Sequence, residues 1–244
     1  MKLDNSLILS PHCDDACFSL GGTLLKSKEI LIWNIFSYQK YSLEKKGLHS
    51  SNLQILQEEY AFLQKINAIG IFEGLKDAFD RGESKLSNVM CTNINNIFNN
   101  EKNKKCFINV YNRISMLCET LNPSIVCVPI ASGNHVDHLI VREAVIELLK
   151  NDDTFKSKKV YLYEDLPYSS NKKWLDDSLE YIKSNGIRIS PIEIDVTKEF
   201  KDKINLINIY KSQFSQRMQN QIIEHSIKKE TLDRHIEILW KIEK

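Results

Sequence analysis

The sequence predicts an α/β protein with a Rossmann-like, mostly parallel sheet, helices on both faces and a helical C-terminal extension. Three observations carry this. Short β-rich runs alternate with helical patterns along the chain, and the runs are apolar at successive positions, as in strands buried on both faces. The 244 residues, 42% hydrophobic and 27% charged, suit one globular domain spanning 1–244 with a full core and little extended disorder.

Taken in order, "LILS" (7–10) reads as the first strand and "ACFSLGGTLLKS" (16–27) as its helix. Gly21 and Gly22 do not form a dinucleotide fingerprint, since GxGxxG is absent, and close packing of helix on sheet explains them better. "EILIWNIFS" (29–37) is a second strand, with Trp33 in the core, and "SNLQILQEEYAFLQKINA" (51–68) a second helix. The asparagine-rich stretch 88–109 reads as a surface excursion. Alternation then resumes through "NRISMLCETL" (112–121), "SIVCVPI" (124–130), "HLIVREAVIELLK" (138–150), "VYLYEDL" (160–166) and "WLDDSLEYIKS" (174–184). "GIRISPIEIDV" (186–196) suits an edge strand, and the chain reads as helical from Lys198 nearly to its end, a surface for packing or for a homo-oligomer. His225 and His235 on that tail read as ordinary surface or packing residues.

Composition narrows the partners. Lys+Arg 33 against Asp+Glu 32 leaves a net charge of +1, so no global field favours nucleic acid or an anionic membrane, and a small neutral or modestly charged substrate fits better. The N-terminus lacks the apolar run of a signal peptide and no stretch is apolar enough for a membrane span, which predicts a soluble, cytoplasmic protein. The six cysteines form no CxxC pair and read as reduced thiols.

In an open α/β sheet ligands bind outside the carboxyl ends of the strands. Three loops qualify: "SPHCDDA" after the first strand, "ASGNHVDH" after 124–130, and "EDLPY" after 160–164. His12 and Asp15 are three apart at a helix start, and His135 and His138 repeat the spacing, so each loop offers two groups to one metal site. A His/Asp/His set suits Zn²⁺ with an open position. A simpler reading makes Asp14 or Asp15, and Asp137, helix caps; yet one cap needs only one Asp. Asp165 and Tyr168, by their loop position, are expected as walls of a sugar pocket.

"SPHCDDA" with "HVDH" resembles the PIG-L/LmbE-like family of zinc-dependent N-acetylglucosamine deacetylases, whose motifs are His-Pro-Asp-Asp and His-x-Asp-His. The segment 58–82 is similar to the family's helix, strand and polar loop, "YEDLPY" (163–168) to a segment of one branch, and "YKSQF" (210–214) is a fainter echo. The resemblance implies that His12, Asp15 and His138 bind the metal, Zn²⁺ or another divalent ion such as Fe²⁺. It implies further that Asp14 is the general base, that His135 polarises the amide oxygen or protonates the amine, and that Asp137 orients a histidine from behind. The expected reaction is metal-dependent hydrolysis of the N-acetyl group of an amino sugar or its conjugate, releasing acetate and a free amine. A metal phosphoesterase and an inactive sugar-binding relative are the alternatives. Cys13 replaces the family's usual Pro, and a thiol there is expected to pack into its own loop in preference to acting as an extra soft ligand.

Overall fold

The computed structural model describes residues 1–39, 52–82, 89–90, 94–213, 215–227, 231 and 233–243. Cys91, Ser51 and Phe214, which figure in the reading above, lie outside them. Among the described residues seven strands form one sheet: β1 (Ser6–Ser10), β2 (Ile30–Asn34), β3 (Ile69–Phe72), β4 (Ile125–Pro129), β5 (Lys159–Tyr163), β6 (Ile189–Asp195) and β7 (Ile236–Ile242). Their order across the sheet is β3-β2-β1-β4-β5-β7-β6. The first five run parallel, and β7 pairs antiparallel with both β5 and β6.

Period-two geometry divides the strand residues between two cores. Leu7, Leu9, Val126 and Val128 face one cluster, built with α4 (Glu101–Leu121), α5 (Val136–Asn151) and α7 (Lys172–Ser184). Ile8, Ile32 and Cys127 face the other, built with α1 (Asp15–Leu24), α2 (Asn52–Ile66) and α8 (Phe200–Ile207). Shorter helices are α3 (Asn95–Asn99) and α6 (Asp153–Lys156), and α9 (Gln216–Ser226) lies near the C-terminus. Helices therefore cover both faces, as an apolar parallel sheet requires. No helix among the described residues is long and apolar enough to cross a membrane. The five described cysteines are free.

Two expectations are corrected. The stretch 88–109 is not a loose excursion: among its described residues Val89 and Ile97 are completely buried, and Asn100 caps α4 by accepting from Lys102 N and Asn103 N. Asparagine there is a helix-start signal. Among its described residues the C-terminal extension is helical only in α8 and α9, because "IEILWKI" (236–242) becomes β7 and inserts between β5 and β6. Its β-branched residues and the alternating burial of Glu237 and Leu239 belong to a strand. Pro191 is accommodated in β6 because that strand is at the edge.

Inserting β7 sends a carboxylate into the interior. Glu237 accepts from Gly22 N (2.8 Å) and Thr23 N (2.9 Å) in α1, and its Oε1 lies 2.7 Å from Lys203 Nζ, both side chains being buried. Gly22 permits the approach: a Cβ there would stand 2.8 Å from Val196 Cβ and 3.1 Å from Glu237 Oε1. Glu237→Ala should therefore destabilise the protein by about 3–5 kcal/mol, since it strands the Lys203 ammonium. The check is the urea midpoint of unfolding. A loss below about 1 kcal/mol would show that water or a neighbour replaces the carboxylate.

Candidate metal centre

The strand order reverses between β1 and β4, and at such a switch point the loops leaving the carboxyl ends part to form a crevice. His12 follows β1, His135 and His138 follow β4, and Asp165 follows β5. The β1 loop folds back on itself: His12 N donates to Asp15 Oδ2 (2.8 Å), and Ser10 Oγ donates to His12 O (2.7 Å). Asp14 occupies the N-cap position of α1, yet its side chain makes no capping hydrogen bond. The cap of α5 is His135, whose Nδ1 accepts from Asp137 N at 3.2 Å. The simple capping role thus falls to none of the aspartates. The connection from β4 bends through three left-handed residues, Ala131 (φ 63°), Gly133 (φ 75°) and Asn134 (φ 52°). A Cβ on Gly133 would also meet the Trp174 ring at 2.8 Å, so only glycine lets the loop lie against that indole.

Two imidazoles converge on one carboxylate oxygen. His12 Nδ1 lies 3.4 Å and His138 Nε2 3.3 Å from Asp15 Oδ2. Each ring is backed by a buried carboxylate on its other nitrogen: His12 Nε2 lies 3.0 Å from Asp137 Oδ2, and His138 Nδ1 lies 2.7 Å from Asp165 Oδ1. Such a partner holds the proton on the far nitrogen and leaves a lone pair facing inward. His138 Nε2 is buried and has no hydrogen-bond partner among the described residues. A tetrahedral ion with ligands at about 2.0–2.1 Å separates its donors by about 3.3–3.4 Å, which fits both separations from Asp15 Oδ2. His12, Asp15 and His138, whose donor atoms all lie within 4.8 Å of one another, could therefore hold a borderline divalent cation in number and donor type. A second convergent set, His12, His135 and Asp137, is less suited. Asp137 is already bound to Arg81 (2.6 Å), Ala78 N (3.0 Å) and His12.

The buried charges of the centre shift one another strongly. Burial alone would raise the Asp15 carboxyl, but His138 and His12 hold it below the usual range; burial also opposes Asp137, which Arg81 and His12 hold far lower. Burial would lower His12 and His138, yet the carboxylates around them raise both. The two remaining groups are different. Asp14 is pushed up to about 8 by burial and by the Asp15 charge, and burial together with His12 keeps the His135 imidazole neutral, well below its ordinary value.

His12, Asp14, Asp15 and His135 open on a cavity of about 550 Å³. Tyr168 lines it, together with Asp77, Trp174, Gln213 and Arg217. Asp165 does not: completely buried, it is engaged by His138 Nδ1 and by Ser132 N (3.0 Å), so it stands behind a histidine and not in the wall. Asp137 is placed behind His12 in the same way. Cys13 is completely buried, burial pushes its thiol up, and it belongs to neither convergent set. The sequence reading missed Arg81 and the cavity face of Asp77, whose carboxyl burial pushes up to about 6. The segment "KDAFDRG" was legible only as a polar loop. The segment of Tyr210 and Ser212 is anchored by Tyr210 Oη, which donates to Glu59 Oε2 (2.6 Å), and by Ser212 N, which donates to Glu58 Oε1 (3.0 Å), and it brings Gln213 to the cavity.

No protein-family model matches the chain, and no curated protein does. Solved structures do. A deacetylase of teicoplanin biosynthesis in complex with bog has a TM-score of 0.74 at 20% identity, covering 98% of this chain and 97% of that one. The zinc inhibited form of teicoplanin deacetylase Orf2 gives 0.71 at 20% identity, with the same coverage. The 4-carboxy-2-hydroxymuconate hydratase GalB from Pseudomonas putida KT2440 gives 0.58 at 13% identity, covering 100% and 95%. This chain shares their fold from end to end. Because that fold carries a hydratase as well as deacetylases, the reaction has to be argued from the site.

Proposed function

We propose that residues 1–244 form one domain of the PIG-L/LmbE-like kind, a metal-dependent hydrolase that removes the N-acetyl group from an amino sugar or its conjugate. The observation that supports this best is the pair of carboxylate-backed imidazoles meeting at Asp15, with Asp14 and His135 beside them on the cavity. A divalent ion, Zn²⁺ or Fe²⁺, held by His12, Asp15 and His138 would supply Lewis acidity and acidify water at its open position. Asp14, on the cavity beside Asp15, takes the proton of the attacking water in its ionised form. His135 accepts at Nδ1 and so carries its proton on Nε2, the form that donates a hydrogen bond to the amide oxygen as negative charge develops. Asp14, now protonated, returns the proton to the departing amine. Tyr168 and Trp174 offer aromatic walls to the sugar, and Asp77 an acceptor for its hydroxyls.

A two-metal phosphoesterase would need more free carboxylates than this centre offers, since Asp137 and Asp165 both hold histidines. A sugar-binding relative without turnover would have no use for Asp14 beside the ligand set. The test is incubation of the zinc-loaded protein with N-acetylglucosamine, its alkyl glycosides and a phosphate monoester. Free amine and acetate in equal amounts support the proposal. Phosphate release, or binding with no product, overturns it.

A further inference from the structure

We propose that Arg81 is a positioning residue of the metal centre, which fixes Asp137 behind His12 and thereby turns His12 Nδ1 toward Asp15. This rests on the reading of His12 as a ligand. The loop 77–82, leaving β3, contributes no donor to either convergent set, yet it grips Asp137 twice: Ala78 N donates to Oδ2 (3.0 Å), and the Arg81 guanidinium lies 2.6 Å from Oδ1. Arg81 is buried and is itself held from three sides. Its Nε and NH2 donate to Asn103 Oδ1 (3.2 and 3.1 Å), its NH1 donates to Lys76 O (2.8 Å), and its plane lies 5.0 Å from the Phe36 ring centre.

The arrangement forms a chain, Asn103 to Arg81 to Asp137 to His12, that joins the start of α4 to the β1 loop. A guanidinium is always charged and its donors are rigidly forked, so it can bind a carboxylate and an amide oxygen at once and fix the angle between them. Asp137 is thereby kept an acceptor, and an imidazole facing an acceptor at Nε2 presents Nδ1 as a lone pair. Without Arg81 the Asp137 carboxylate loses its countercharge and one of its anchors, and the ring of His12 loses its set angle.

The experiment uses the whole protein, stripped of metal and titrated with Zn²⁺ against a chromophoric chelator, and with Co²⁺ for its visible spectrum. Arg81→Gln should weaken Zn²⁺ binding by about 10- to 100-fold and alter the Co²⁺ bands, and Asp137→Asn should do the same. The double variant should be no worse than Asp137→Asn alone, because Arg81 then has no carboxylate to hold. Should Arg81→Gln fail to fold, Asn103→Ala keeps the charge but loosens it, and should weaken Zn²⁺ binding by up to roughly tenfold with altered Co²⁺ bands. A folded Arg81→Gln or Asn103→Ala variant with lowered Tm but wild-type Zn²⁺ affinity and Co²⁺ spectrum makes the residue merely structural and overturns the proposal. Wild-type protein that binds neither ion overturns instead the function proposed above.

Discussion

Asp14→Asn is expected to lower deacetylase turnover by roughly 10² to 10⁴ while metal content stays near one ion per chain, that range being the usual contribution of general acid–base catalysis. The substitution keeps the shape of the side chain and removes only its basicity. The capping explanation predicts otherwise: an Asp that caps costs about 1 kcal/mol when replaced by Ala and little when replaced by Asn. In this protein the Asp14 side chain makes no capping bond at all, so loss of stability cannot stand in for loss of chemistry. Turnover by initial rate of amine release, and zinc by elemental analysis, are to be measured on the same preparation. A variant that deacetylates at the wild-type rate with its metal in place would falsify the mechanism.

The parallel half of the fold was legible because buried parallel strands are apolar throughout, and "LILS" and "SIVCVPI" cannot be much else. β7 was not, because "IEILWKI" follows a charged helical stretch and its inward Glu237 breaks the expected apolar pattern until Lys203 and the α1 amides are placed beside it. The proposed ligand set was legible for a similar local reason. His12 with Asp15, and His135 with His138, show their spacing within single loops. Asp165 and Arg81 act at a distance of 27 and 56 residues from His138 and Asp137, and no pattern within a window could pair them. Asp165 stood out by its loop at the carboxyl edge of the sheet, as a wall and not as a partner of His138, and Arg81 carries the same signal, a charge on a loop at that edge.

His138→Asn is expected to empty the centre. The amide nitrogen of Asn can take the place of ring Nδ1 and donate to Asp165, so the buried carboxylate keeps a partner while the inward nitrogen is removed. Replacing a group behind a ligand costs about 10- to 100-fold in metal affinity, so losing the ligand nitrogen itself should cost more than about 100-fold and take turnover with it. His135→Asn supplies the contrast, because its amide oxygen can still accept from Asp137 N and preserve the cap of α5. If His12, Asp15 and His138 hold the ion, His135→Asn retains zinc through gel filtration and loses rate, whereas His138→Asn loses both. If the ion sits instead among His12, His135 and Asp137, the two variants exchange behaviour. Thermal unfolding with and without added zinc separates the cases without any substrate: a bound ion raises the Tm of the variant that still holds it and leaves the other unchanged.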